Sequence, residues 1–211
     1  MSALDDSIDA QGPRTQALLA RVKGIIMQPK SEWQLIDREA TTPSQLYMGY
    51  IVPLSVIPRI ASFIGMAVFG IRIPLVGTYR VPMGSALTNA IIQYILGLAG
   101  VYAIALIIDA LAPTFGGQKN PVQALKVAAY SSTAAWLAGI FILVPGLRWL
   151  SLLGLYGLYL LFLGLPIVMK SPAEKATGYT AVVVICAIVI FVIIGTVAGQ
   201  FISYPAMGVV Q

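Results

Sequence analysis

The sequence predicts an all-α membrane protein, a polytopic bundle of five transmembrane helices with a short amphipathic N-terminal region. Two observations lead to this prediction. Of the 211 residues, 58% are hydrophobic and only 10% are charged, a composition outside the range of soluble domains. The charges are also unevenly distributed, since 11 of the 21 lie in the first 45 residues. A polar head therefore precedes an apolar membrane body.

The polar head divides into a disordered start and a set of short helices. Residues 1–12 are polar and acidic, and we expect them to be disordered. Residues 13–45 are predicted to form amphipathic or interfacial helices, because apolar residues recur there at helical spacing. A capping-box pattern at Ser31 opens a second helix, and Thr42 repeats the start signal just before the first span.

The placement of these short helices has two alternatives. They lie either on the inner leaflet or against the cytoplasmic ends of the membrane helices. On the leaflet, an indole is a typical interfacial anchor, and basic side chains contact lipid head groups. The residues predicted at the membrane surface are Arg14, Arg21, Lys23 and Trp33.

Five apolar runs follow, each long enough to cross a hydrocarbon core, which takes about 20 residues. Linkers rich in Pro and Gly separate them. The first run contains Pro53 and Pro58 and is expected to kink or to begin late. The predicted membrane domain covers residues 46–203, with spans at 46–71, 86–111, 122–143, 147–169 and 179–203, and residues 204–211 form a short external tail.

Orientation follows from the positions of the basic residues. With a cytoplasmic N-terminus, nine Lys and Arg residues lie on the inner side and three on the outer side, as the positive-inside rule favours. Five spans then place the C-terminus outside, in the periplasm if the membrane is a bacterial inner membrane. This topology also explains the net charge of +5, so we expect no nucleic-acid partner; the lipid bilayer is the predicted partner.

Ionisable residues inside a membrane cost about 2.5–3.5 kcal/mol on insertion scales and are functional candidates for that reason. Arg59 lies near the middle of the first span, and Asp109 lies near the inner end of the second. A direct ion pair between them requires the first span to begin near Pro53. Otherwise Arg59 snorkels or bonds to carbonyls freed by a proline, and Asp109 caps its helix end.

Amide side chains add to the polar face of the second span. Asn89 and Gln93 lie along one face of it. They either line a polar cavity or form interhelical hydrogen bonds. The intramembrane polar candidates are thus Arg59, Asn89, Gln93 and Asp109.

Glycines mark surfaces where helices approach closely. The fifth span carries a GxxxG pattern, and the second and fourth spans carry further glycines along one side. These surfaces serve packing within the chain or a homo-oligomer. The predicted helix-packing residues are Gly97, Gly100, Gly154, Gly157, Gly195 and Gly199.

The residues that most enzymes require are missing from the sequence. It contains no histidine and only one cysteine, Cys186, within an apolar run. Asp109 is the only acid between Glu39 and Glu174, so two carboxylates cannot share a proton in the membrane. No GxxxxGK[ST] loop is present. We therefore predict a protein that is not an enzyme, with no catalytic, metal or cofactor site.

Several stretches, taken in order, resemble the Yip family of Rab-interacting, five-span membrane proteins. They cover much of residues 21–200. None of them identifies the family alone, so the resemblance depends on the order in which they occur. One departure is Ser132-Thr-Ala-Ala, where relatives commonly have Thr-Pro. The resemblance implies a short bacterial inner-membrane member, for which a Rab partner is not expected. The stretches are RVKGIIMQPKSEW (21–33), DALAPTFGG (109–117), ALKVAAYSS (124–132), GLYLLFLG (157–164) and SPAEKA (171–176).

Two functional hypotheses follow. The first is a non-enzymatic scaffold or adaptor that assembles with itself or with other membrane proteins and influences membrane organisation or trafficking. Its basic head recruits a partner, and Gly195 with Gly199 mediates assembly. The alternative is a small oligomeric transporter, channel or lipid-handling protein in which the intramembrane polar residues line a path. The scaffold is favoured, because five spans with so few polar residues would need an oligomer to enclose a route.

Overall fold

The computed structural model describes the backbone of residues 2–73 and 77–200, and the side chains of residues 15–70 and 80–200. Within them the protein is the predicted all-α bundle, with five helices long and apolar enough to cross a membrane. Two helices precede the bundle, α1 (Ser2–Met27) and α2 (Pro29–Arg38). The five long helices are α3 (Pro43–Phe69), α4 (Met83–Leu111), α5 (Pro121–Leu143), α6 (Pro145–Val168) and α7 (Ala173–Gly199).

We call α1 and α2 together the cap. Helix α1 begins at Ser2, so the prediction that residues 1–12 are disordered is wrong for the described part of that segment. Acidic residues are favourable in the first turns of a helix because its N-terminus carries partial positive charge, and this segment contains three. Helix α2 begins at Pro29, two residues before the predicted Ser31, because proline is preorganised for the first helical position.

Helix α3 starts with the predicted capping box. The Thr42 hydroxyl accepts a hydrogen bond from Gln45 N at 3.2 Å, and Gln45 Oε1 accepts one from Thr42 N at 3.0 Å. The helix runs through both of its prolines, with π-type turns at Tyr47–Ile51 and Gly65–Phe69. A wide turn immediately before Pro53 is expected, since proline donates no backbone hydrogen bond.

A small hairpin connects α3 to α4 and leaves the fold class unchanged. Strands β1 (Ile71–Ile73) and β2 (Gly77–Tyr79) pair antiparallel, with Ile71 opposite Tyr79. Helix α3 ends at Phe69, and Gly70 follows it with a φ of +80°, which suits glycine. Helix α4 is a regular α-helix over its full length, Met83–Leu111.

The later helices change their winding along their length. Helix α5 is α-helical over Pro121–Ser131 and Thr133–Ala138 and tightens into a 3₁₀ helix over Gly139–Leu143. Helix α6 begins as a 3₁₀ helix, Pro145–Leu155, and becomes α-helical over Tyr156–Val168. Helix α7 begins with the short 3₁₀ turn Ala173–Lys175, and another such turn, Pro113–Phe115, follows α4.

Helix α5 occupies the centre of the bundle, and α7 lies at its edge. The α5 helix packs against α3, α4 and α6, whereas α7 packs mainly against α4 and α6. Much of the apolar surface of α7 is exposed, as expected for a helix that faces lipid. The cap contacts the start of α3, the Thr133–Ala138 part of α5 and the Tyr156–Val168 part of α6, and Lys126 near the start of α5 bonds to α2. We call this side the cap end and the opposite side the far end.

Candidate functional site

The cap is docked on the bundle through an indole. Trp33 of α2 is fully buried, and its ring meets that of Tyr130 edge-on, with 6.2 Å between centroids. On the other side the ring lies against Gly164 of α6, where a Cβ would come within 2.6 Å of it. The prediction that Trp33 is a membrane-surface anchor is therefore wrong, because a fully enclosed indole contacts neither lipid nor water.

Other apolar side chains of the cap follow Trp33 into the core. Ile25 and Ile36 are fully buried, and the Tyr156 hydroxyl donates a 3.0 Å hydrogen bond to the Ile26 carbonyl at the end of α1. The amphipathic face of the cap thus packs on protein. Its outward side still exposes large apolar side chains, namely Leu19, Met27 and Leu35 at 62%, 70% and 57%.

Arg21 holds α1 against α2 and the bundle. Its guanidinium donates a 2.6 Å hydrogen bond to Glu32 and a second to Glu39, and it lies 5.8 Å from the centroid of the Tyr130 ring. Arg21 therefore faces inward, and its predicted place at the membrane surface is wrong. A guanidinium offers several donors in one plane, which suits two carboxylates at once. Of the other predicted surface residues, Lys23 is exposed, and the side chain of Arg14 lies outside the described part.

Lys126 is a residue whose role the sequence did not reveal. It lies in the first turns of α5, is 3% exposed, and donates hydrogen bonds to the carbonyls of Ile36 at 2.8 Å and Glu39 at 2.6 Å. These carbonyls belong to the C-terminal end of α2, where a cation meets the negative end of the helix dipole. The sequence contains no local signal for this contact, because the partners are about 90 positions away.

Asp37 connects the cap to the start of α5 and to the residues after α6. Its carboxylate pairs with Lys170, just after α6, at 2.5 Å. It also accepts a hydrogen bond from Gln123 Nε2 at 3.1 Å. The cap is consequently tied to α5 and α6 by both apolar and polar contacts.

A row of polar side chains crosses the inside of the bundle. Arg59 of α3 donates from Nη1 to Gln93 Oε1 at 2.7 Å, and Gln93 donates from Nε2 to Asn89 Oδ1 at 2.6 Å. Asn89 in turn donates to the Ala198 carbonyl of α7 at 2.9 Å. The structure thus brings together three of the four predicted intramembrane residues and links helices α3, α4 and α7.

Asp109 lies apart from this row. It is 16 residues further along α4 than Gln93, or about 24 Å at 1.5 Å per residue. Its Oδ1 is buried without a hydrogen-bond partner among the described residues. No ion pair joins it to Arg59 within the described part of the chain. Of the alternatives left open by the sequence, interhelical hydrogen bonding describes the polar row, with Gln93 as the partner of Arg59.

The predicted packing glycines divide into two groups. Four of them face a neighbour that a Cβ would press against: Gly97 faces Arg59 at 3.2 Å, Gly100 faces Ile194 at 2.9 Å, Gly154 faces Ala135 at 3.1 Å and Gly157 faces the Ser131 carbonyl at 2.6 Å. Gly195 and Gly199 of α7 have no described residue within 4 Å of that position. The first group thus serves packing within the chain, whereas the α7 pair faces outward.

The described residues contain no group of three or more His, Cys, Asp or Glu side chains that could hold a metal ion. Two grooves open on the surface of this part of the chain. One, of about 650 Å³, is apolar and lies between the end of α1 and helices α3, α5 and α6, with Ile57, Phe141 and Tyr156 in its wall. The other, of about 390 Å³, is more polar and lies beside Arg21, Glu39 and Tyr50 at the edge of the cap.

Comparison with known proteins finds one matching family and two related inner membrane proteins. The Yip1 domain model matches residues 23–194. The chain is 28% identical over 168 residues to the inner membrane protein YohC of Escherichia coli (strain K12), which is 77% of this chain and 86% of that protein. The protein of the same name from Escherichia coli O6:H1 (strain CFT073) matches with the same identity and coverage. No solved structure matches the chain.

Proposed function

This chain belongs to the Yip1 domain family of membrane proteins, and from that premise we propose that it is a non-enzymatic scaffold or adaptor of the bacterial inner membrane. It assembles with itself or with other membrane proteins. The cap faces the cytoplasm and recruits the partner, and the C-terminal end of α7 faces the periplasm. The basic residues concentrated at the cap end support this orientation.

The observation that carries the proposal is the docking of the cap. A mobile amphipathic tail would need no partner inside the bundle, yet Trp33 and Ile36 are fully buried there, and Arg21 is held by Glu32 and Glu39. Docking fixes the outward side of the cap as a surface of constant shape. Leu19, Met27 and Leu35 of the cap are exposed, and in this proposal they are the apolar side chains that the partner covers.

A purification from mild detergent into nanodiscs tests this role. We expect the native protein to retain a stoichiometric protein partner, and the double variant Leu19→Ser, Leu35→Ser to lose it. The matched control is Lys119→Ser, Glu174→Ser, which changes one exposed side chain between α4 and α5 and one in the first turn of α7, and preserves net charge. Retention of lipids alone by the native protein, or equal loss of the partner in the control, would count against an adaptor.

Self-assembly through α7 is the second component of the proposal. Gly195 and Gly199 are one helical turn apart on an exposed side of α7, and their Cβ positions are open. Small residues at this spacing allow helix backbones to approach closely. The proposed contact is between α7 helices of two copies.

The mass of the particle in a nanodisc tests this contact. We expect the variant Gly195→Leu, Gly199→Leu to dissociate the oligomer into single copies. Gly49→Leu is the control, because Gly49 is also exposed, lies in a membrane helix and has open space at its Cβ position. An oligomer that withstands the α7 change, or one that the control disrupts as well, would refute assembly through this surface.

The alternative remains a small oligomeric transporter, channel or lipid-handling protein. The polar row of Arg59, Gln93 and Asn89 is the observation that favours it. Asp109 does not continue that row towards the cap end, which makes a polar route through a single copy less favourable. If Arg59→Leu abolishes transport across the membrane while the protein keeps its abundance and its assembly, this alternative is supported over the scaffold.

A further inference from the structure

A groove at the edge of the cap combines polar and apolar side chains. It is the groove beside Arg21, Glu39 and Tyr50, and we call it the cap groove. Its volume of about 390 Å³ is within the range of small-molecule sites, about 300–1,000 Å³. Arg21 and Glu39 line it together with Leu18 and Leu46. Such a lining suits a ligand that has a polar part and an apolar part, because each part meets its own kind of surface.

The cap groove lies at the surface of the membrane. Helix α3 has 27 residues, or about 40 Å at 1.5 Å per residue, and a bilayer with both head-group layers is about 40–45 Å thick. The first turn of α3, which brings Gln45 and Leu46 to the groove, is therefore at the level of the head groups. Tyr50, about 10 Å from the start of the helix, lies at the edge of the hydrocarbon core. Gly49 lines the groove and is exposed, so the groove is open to lipid from the side.

Arg21 and Glu39 keep binding capacity that the cap does not use. Arg21 donates through Nη1 to Glu32 at 2.6 Å and through Nη2 to Glu39, and a guanidinium has five N–H donors. Glu39 accepts from Arg21 through Oε2, while its Oε1 has no partner among the described residues. The side chains of Arg21 and Glu39 are 22% and 46% exposed, so a ligand in the groove can contact both.

The ionised side chains around the groove carry no net charge. Arg21 is paired with Glu32 and Glu39, and Lys126, which donates to the Glu39 carbonyl at 2.6 Å, supplies the second positive charge. Of these four, Arg21 and Glu39 line the groove. A guanidinium beside a carboxylate is complementary to a ligand with a phosphate next to an ammonium group, whereas an anionic lipid brings no cation to Glu39.

We propose that the cap groove binds the head group of a phospholipid with a primary ammonium, of the phosphatidylethanolamine class. Arg21 donates to the phosphate with the N–H groups that Glu32 and Glu39 leave free, and Glu39 Oε1 accepts a hydrogen bond from the ammonium. The rings of Tyr50 and Tyr130, which also line the groove, add attraction for the ammonium. The acyl chains leave the groove along the first turns of α3. This ligand site does not depend on the scaffold role.

Thermal unfolding of the full chain in detergent, with lipids of identical acyl chains, tests the ligand. We expect phosphatidylethanolamine to raise the unfolding temperature more than phosphatidylglycerol, which has the phosphate without the ammonium. Stabilisation by phosphatidylglycerol that equals or exceeds it would overturn the role of the ammonium, and equal stabilisation by diacylglycerol would overturn the role of the whole head group. Free phosphoethanolamine is expected to have no effect at the same concentration, and an effect as large as that of the lipid would overturn the lipid source.

Glu39→Gln connects the preference to the carboxylate. The amide oxygen of glutamine still accepts from Arg21, so the cap keeps this contact, but the charge that holds the ammonium is lost. We expect the half-maximal concentration of phosphatidylethanolamine to rise about tenfold or more, the effect of losing one hydrogen bond between charged groups. The preference over phosphatidylglycerol should disappear as well.

Glu174→Gln is the matched control, because it removes the same charge from an exposed residue at the cap end that does not line the groove. An unchanged preference for phosphatidylethanolamine in Glu39→Gln, or the loss of that preference in Glu174→Gln, would refute the site.

A steric pair of variants keeps the test decisive if the Glu39→Gln protein is unstable. Ala17 of α1 is exposed and lines the groove, whereas Ala20 of the same helix is exposed and does not line it. We expect Ala17→Trp to fill the groove and abolish the response to phosphatidylethanolamine, and Ala20→Trp to keep it. A full response in Ala17→Trp, or an equal loss in Ala20→Trp, would contradict the proposal, since a purely structural role of Arg21 and Glu39 would not distinguish the two positions.

Discussion

The indole of Trp33 fills the space left by the missing side chain of Gly164, and a Cβ at position 164 would lie 2.6 Å from Cζ2 of the ring. This contact joins the cap to α6, more than 130 residues away in sequence. The Trp33 ring also meets Tyr130 of α5. The same indole therefore fixes the cap to two helices of the bundle.

Gly164→Ala is expected to destabilise the protein by about 1–3 kcal/mol, the range for overpacking a closely packed site. The added methyl would press on a rigid ring rather than on a flexible side chain. Gly49→Ala is the control, because its Cβ position is open. Denaturant unfolding in detergent measures both, and equal stability of the two variants would contradict the contact.

Lys126→Met is expected to loosen the cap while leaving the membrane helices in place. The change deprives the carbonyls of Ile36 and Glu39 of their donor, at a cost of about 1–3 kcal/mol for unsatisfied buried groups. Limited proteolysis in the connection between α2 and α3 should become faster. The control Lys119→Met changes an exposed residue of a neighbouring loop and should be cleaved at the rate of the native protein. Cleavage of Lys126→Met at that same rate would show that the contact is dispensable.

Arg21 and Glu32 are expected to show energetic coupling. Their side chains are 22% and 14% exposed and 2.6 Å apart, so the pair is less screened than one on an open surface. A double-mutant cycle with Arg21→Gln and Glu32→Gln should give a coupling free energy of about 0.5–3 kcal/mol, the range for residues in contact. Additive effects of the two changes would mean that the pair does not hold the cap.

Arg59 and Asp109 are expected to be independent. About 24 Å of α4 separates Asp109 from the Gln93 that binds Arg59. A cycle with Arg59→Gln and Asp109→Asn should therefore be additive to within about 0.5 kcal/mol, as is usual for distant sites. Coupling well above that value would indicate an intramembrane ion pair that this structure does not contain.

The membrane helices were predictable because span length and hydropathy are properties of a contiguous stretch. All five were expected, and their described ends differ from the expected positions by at most six residues. The expected end of the fifth span at residue 203 and the expected tail 204–211 lie outside the described residues. The Thr42 capping box was also predictable, since its partner is three residues away. Signals of this kind need no knowledge of what lies across the bundle.

The contacts of the cap were not predictable for the opposite reason. Periodicity indicates that α2 has an apolar face, but it does not indicate whether lipid or protein covers it. For this reason Trp33 and Arg21 were assigned to the membrane surface, although both face the bundle. The partners of Arg21 are 11 and 18 residues away, and those of Lys126 are about 90.

The polar row was predicted in part. Asn89 and Gln93 share a helix face at a spacing of four residues, which the sequence shows directly. The choice of Gln93 rather than Asp109 as the partner of Arg59 depends on where α3 begins. The structure begins it at Pro43, whereas an ion pair with Asp109 would require a start near Pro53.

Hydrogen–deuterium exchange in nanodiscs tests the central claim most directly, namely that the cap is an integral part of the bundle. Amides of α2, Pro29–Arg38, should exchange about as slowly as those of the buried start of α5, because Trp33 and Lys126 hold the helix in place. The connection between α4 and α5 is the internal reference for fast exchange. If the amides of α2 exchange as fast as those of that connection, the cap is a mobile tail and the claim is contradicted.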